Sequence, residues 1–172
     1  MSLNIVKNNL RKHREMSAVD VFKRSSPRIL VLPRFVVEEL LESKEDLNLS
    51  KHAFISIVTR PEEVLMTSSA INFLSEADCT NILSLVFGDI IRPKAGYYLF
   101  DRVQACQIID FINNLSDINI LAIHCDAGVS RSGAVGLFAC RYLNLNEKEF
   151  LEDNEFIDPN SHVYDLLMDE CQ

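Results

Sequence analysis

The sequence predicts an α/β fold, a single-domain sandwich with a mostly parallel central sheet flanked by helices. Two observations carry that expectation. Short apolar runs of strand length alternate along the chain with stretches whose apolar residues recur every three or four positions. Hydrophobic residues make up 48% of the 172 residues against 24% charged, which supplies a core and excludes a disordered or low-complexity chain.

The elements follow in order. Residues 1–26 are polar and lead into Ser25-Ser26-Pro27, which marks a boundary between a basic N-terminal arm (1–27) and the domain proper (28–172). Ile29 to Leu32 reads as a strand closed by Pro33, and Phe35 to Leu41 has helical spacing. Ala53 to Val58 is a second strand, stopped at Arg60-Pro61. Asn81 to Phe87 is a third, followed by a loop from Gly88 to Gly96 whose glycines and Pro93 suit a movable lid. Asp101 caps an amphipathic helix in which Val103, Cys106, Ile109/Ile108, Phe111/Ile112 and Leu115 recur at three- and four-residue spacing. Ile118 to Ile123 is a buried strand, and Gly133 to Cys140 a buried helix. Glu147 to Asp153 and Ser161 to Cys171 read as two further helices.

Between the strand ending at Ile123 and the helix opening near Gly133 lies His124-Cys125-Asp126-Ala127-Gly128-Val129-Ser130-Arg131-Ser132. A strand feeding a tight loop that opens a helix leaves backbone N–H groups facing the loop, where the helix dipole favours an anion. That environment suits a thiolate at Cys125. Arg131 adds a planar fork able to hold two phosphate oxygens at once. In parallel sheets ligands bind beyond the carboxyl ends of the strands, where this loop falls.

The segment resembles the signature loop of cysteine-dependent protein tyrosine and dual-specificity phosphatases: His-Cys, five residues, Arg, Ser/Thr. His124, Cys125, Gly128, Arg131 and Ser132 match it. Ala53 to Val58 before Pro61, the run through Ile90 with its acid, the helix over 101–115 and Pro159-Asn160 look like compact prokaryote-type members of that group. The resemblance implies a phosphoric monoester hydrolase that needs no metal and no cofactor and acts on phosphotyrosine, with phosphoserine/threonine as a further substrate. Cys125 is then the nucleophile and Arg131 the phosphate clamp. The backbone of Asp126, Ala127, Gly128, Val129, Ser130 and Arg131 is the substrate cradle, and His124 orders the loop through hydrogen bonds.

Ser132 either bonds the Cys125 sulfur or caps the helix. Asp89, thirty-six positions before Cys125 at the head of the lid, is favoured as general acid over Asp101, whose place suits an N-cap. Asp126 is expected to point outward, since an inward carboxylate would repel the substrate. Residues 126, 127, 129 and 130 include no lysine, which favours a monophosphate ester of a protein over a polyphosphorylated ligand. Tyr97, Tyr98, Arg92 and Lys94 are candidates for the rim. The rival reading is a phosphate-ester-binding module with the same fold and little turnover.

The net charge of −8 is unevenly spread: residues 1–34 hold eight Lys/Arg against two acids, the remainder nine against twenty-three. An acidic body argues against nucleic-acid binding. The basic arm is read as solvated or packed on that acidic body. Five cysteines without CxxC spacing argue against a disulfide framework or zinc site and for a reducing cytoplasm. No apolar run is long enough for a membrane span. The expected partner is a phosphorylated protein or peptide substrate.

Overall fold

A computed structural model describes residues 3–14, 28–42, 51–63 and 81–172. Helix α1 spans Leu3–Arg14, followed by strand β1 (Arg28–Pro33), helix α2 (Arg34–Glu42), and strands β2 (His52–Val58) and β3 (Ile82–Val86). Helix α3 (Arg102–Asn113), strand β4 (Ile120–Cys125) and helices α4 (Arg131–Tyr142), α5 (Glu147–Asp153) and α6 (Ser161–Glu170) complete the order. The Ser25-Ser26-Pro27 boundary and Cys79 lie outside the described residues.

The four strands form one sheet in the order β1-β4-β2-β3, every pair parallel. The expected α/β architecture is therefore present, and its mostly parallel sheet is wholly parallel among the described residues. Alternation sorts the strand side chains onto two faces. Ile29, Val31, Ala53, Ile55, Ile57, Leu121 and Ile123 pack with Ala105 and Ile108 of α3, Val135 and Phe138 of α4, and Val163 and Leu167 of α6. Leu30, Leu32, Phe54, Ile120 and Ala122 face the other way, onto Val36, Val37 and Leu40 of α2. Both faces are thus covered, which explains why these strands read as continuous apolar runs.

Buried side chains finish what the ladders leave open. On β1, the edge strand, Asn154 accepts from the Val31 N–H at 2.7 Å and donates to the Ile29 carbonyl at 3.1 Å. That pairing blunts an otherwise exposed edge. Asp101 is the N-cap of α3, within a reciprocal box with Gln104, as its position in the sequence predicts.

β4 runs two residues further than the apolar pattern suggests, so His124 and Cys125 are its last residues. It is an interior strand, paired to β1 up to Pro33 and to β2 up to Ser56. Whatever follows Cys125 therefore emerges between two neighbouring strand ends.

Candidate active site

The loop from Asp126 to Ser130 turns from β4 into α4 through Gly128, whose φ is +64°. A side chain there would meet the Leu32–Pro33 peptide at 2.3 Å, so both the turn and the close approach of β1 require glycine.

Every carbonyl of this loop is held by a donor. Asp126 accepts from the Arg34 N–H at 3.4 Å, Val129 from the Asp158 N–H at 3.2 Å, and Ser130 from the N–H groups of Ala134 (2.9 Å) and Asn160 (3.1 Å). The side-chain amide of Asn9, on α1, donates to the carbonyls of Ala127 (2.8 Å) and Gly128 (2.9 Å). No N–H of residues 127–131 meets a protein acceptor among the described residues. A planar trans peptide points its N–H opposite to its C=O, so outward carbonyls leave a set of inward donors. Such a set of converging donors is able to hold an anion, as the strand–loop–helix pattern implies.

Cys125 is 3% exposed, and its sulfur lies 3.1 Å from the Ser132 hydroxyl. Of the two roles open to Ser132 from sequence, the geometry is that of a sulfur partner. The N-cap of α4 is Ser130, and its side chain makes no capping bond. Its hydroxyl donates instead to Asp89 at 2.7 Å.

Arg131 is also buried, 4% exposed. Its Nη1 donates to the Thr59 hydroxyl at 3.1 Å and to the Phe87 carbonyl at 2.9 Å, which aims the guanidinium along the sheet end. Nε is buried with no hydrogen-bond partner. Nη2 is paired with Asp126 at 2.5 Å.

That last contact corrects an expectation. Asp126 does not point away from the loop; its carboxylate bridges Arg131 and Arg34 and accepts from Thr59 at 3.1 Å. The physical reason is local charge: two guanidiniums stand within reach of a side chain only one residue beyond the strand. Burial on its own would raise the Asp126 pKa, but Arg131 and then Arg34 outweigh it and hold the carboxyl below its usual range. Arg34 is likewise opposed by its burial, yet Glu63, to which it donates at 2.8 Å, and the Asp126 charge raise its pKa.

Asp89 lies on the loop after β3. One of its oxygens accepts from Ser130 and, at 2.9 Å, from the Asn160 amide, so it overhangs the cradle. Asp101 is engaged by Gln104 in the α3 cap instead. A pocket of about 370 Å³ opens over the loop, lined by Thr59, Asp89, Ile90, Lys94, Tyr97, Cys125, Asp126, Ala127, Ser130 and Arg131. Of the rim candidates, Lys94 and Tyr97 reach it, while Arg92 joins Lys94 in an adjoining hollow of about 650 Å³ beside Ser161. Tyr98 lines neither and is exposed.

His124 is buried and its Nδ1 has no hydrogen-bond partner, so the loop-ordering bond implied by resemblance is not made through that nitrogen. Burial, reinforced by the charge of Arg34, lowers its pKa to about 3 and keeps the ring neutral. Arg34, Thr59, Asn9 and Asn160 also belong to the site but stand out in no local pattern. Each reaches the loop from a distant part of the chain.

No family model matches the chain, and no curated protein matches it. Among solved structures, the active form of Tk-PTP, a protein tyrosine phosphatase, is similar at 18% identity, over 83% of this chain and 88% of that one, with a TM-score of 0.49. A glycine-to-alanine mutant form of Tk-PTP is similar at 16% identity, over 86% and 92%, also at 0.49.

Proposed function

We propose that this protein is a cysteine-dependent phosphatase, hydrolysing phosphotyrosine and phosphoserine/threonine monoesters of proteins without a metal. One observation carries the reading. The Cys125 sulfur sits beneath a loop whose carbonyls are all engaged and whose free N–H groups adjoin a buried arginine with an unpartnered Nε.

In the proposed reaction the substrate phosphate enters the 370 Å³ pocket, with its equatorial oxygens on the cradle N–H groups and Arg131. The Cys125 thiolate attacks phosphorus in line, forming an S–P bond as the ester P–O bond breaks. Asp89 gives its proton to the departing oxygen. Water then attacks phosphorus and loses a proton to the Asp89 carboxylate, and the S–P electron pair returns to sulfur. Ser132, 3.1 Å away, donates to the sulfur as that charge develops. The pocket's mouth offers Tyr97 and Lys94, an aromatic ring and a cation, to an aryl phosphate.

The test is hydrolysis of p-nitrophenyl phosphate and of a phosphotyrosyl peptide, with and without vanadate. Vanadate-sensitive turnover is expected, and Cys125→Ser should abolish it while oxyanion binding persists. Substantial hydrolysis by that variant would remove the covalent mechanism. Oxyanion binding with no turnover in the unmodified protein would leave a binding module instead.

A further inference from the structure

Two of the five loop carbonyls are held by one side chain that is 118 residues away along the chain, Asn9. Asn9 is 4% exposed, while its neighbours Lys7, Asn8 and Arg11 face solvent. We propose that Asn9 is a positioning residue for the phosphate cradle, acting through the two peptide units on either side of Gly128. The inference rests on the phosphatase reading above.

Drawing the Ala127 carbonyl to Asn9 turns the Gly128 N–H to the opposite side, and drawing the Gly128 carbonyl there does the same for the Val129 N–H. Both units adjoin the loop residue with the widest backbone freedom, a glycine at positive φ. A peptide beside such a glycine reverses at little cost, and reversal would present a carbonyl oxygen to an incoming oxyanion. Asn9 supplies the restraint where the backbone supplies least. An amide is suited to this, since one NH₂ group carries two hydrogens for two acceptors.

A purely structural role for Asn9, anchoring α1, is separable. Helix α1 has another anchor in Lys12, paired with Glu155 at 2.8 Å and lying over the Phe156 ring. Loss of that anchor should loosen the helix without changing the donors that reach the loop.

The test compares Asn9→Ala, Asn9→Asp and Lys12→Ala by the inhibition constant for vanadate, by kcat and KM for p-nitrophenyl phosphate, and by Tm. Asn9→Asp keeps the shape but sets oxygen against two carbonyl oxygens. Asn9→Ala should raise the vanadate inhibition constant and KM roughly tenfold and lower kcat, and Asn9→Asp should do more. Lys12→Ala should lower Tm with vanadate inhibition unchanged. The proposal is overturned if both Asn9 variants keep the unmodified inhibition constant, or if Lys12→Ala shifts it equally. Should Asn9→Ala fail to fold, the isosteric Asn9→Asp carries the same comparison. An unmodified protein that neither turns over nor binds vanadate would instead overturn the phosphatase reading, and this inference with it.

Discussion

The carboxylate of Asp126 occupies one end of the Arg131 guanidinium, at 2.5 Å, in the site proposed to hold phosphate oxygens. An incoming phosphate must displace it or share the arginine with it. Asp126→Ala should therefore tighten vanadate binding several-fold, read as a lower inhibition constant. Weaker binding in that variant would mean that Asp126 orients Arg131 instead of competing for it. The pair also has a pH signature. Because the folded-state pKa of Asp126 is depressed, its contribution to stability is present above about pH 4 and lost as pH falls through the folded value. The contribution is discounted by solvent screening, since the side chain is 48% exposed.

Arg131→Lys keeps the charge but cannot reach Thr59, the Phe87 carbonyl and an oxyanion together. With charge-assisted bonds contributing about 1.5–3 kcal/mol each, kcat/KM for an aryl phosphate should fall on the order of a hundredfold. A near-normal value would show that Arg131 makes no contact with the substrate.

Asp89→Asn should reduce turnover of phosphotyrosine by roughly 10²–10⁴-fold and of esters with acidic leaving groups much less. The alkaline limb of the kcat/KM–pH profile should flatten in the same variant. Asp101→Asn should leave both unchanged, since Asn caps a helix as well as Asp does. The opposite pattern would reverse the assignment.

His124 makes the fold sensitive to mild acid. Its ring is held neutral to about pH 3 when folded, whereas an unfolded chain protonates it near pH 6.5. Below about pH 6.5 the unfolded state binds the additional proton, so stability falls by up to about 1.4 kcal/mol per pH unit until the folded value is reached. His13, lowered to about 4 by burial and by Lys12, acts in the same direction. Urea unfolding between pH 7 and pH 5 should show a shallower decline in His124→Asn than in the unmodified protein. An equal decline would place the acid sensitivity elsewhere.

The parts of the fold set by local patterns were legible in the sequence. Strand runs, the Asp101 cap and the helix after the loop all rest on periodicity or on a residue acting within four positions of itself. The loop could likewise be located, because strand, glycine and helix start are contiguous. Its surroundings could not. Arg34 is one residue past a strand, Thr59 one past another, and Asn9 lies on a helix in a segment read as an arm. Nothing in their neighbours announces that parallel pairing brings these positions to one end of the sheet. The direction of Asp126 is set in the same way, by Arg34, ninety-two residues away, and not by repulsion of a substrate.

Asp89 is held by two donors, Ser130 in the loop and Asn160, seventy-one residues after Asp89, at the start of α6. During synthesis the strand and loop that carry Cys125 leave the ribosome before the Asn160 amide does. A nascent chain therefore carries the Cys125 sulfur for some time before the second of the two donors to Asp89 is in place. The arrangement around Asp89 is then completed in a late step, with the docking of α6.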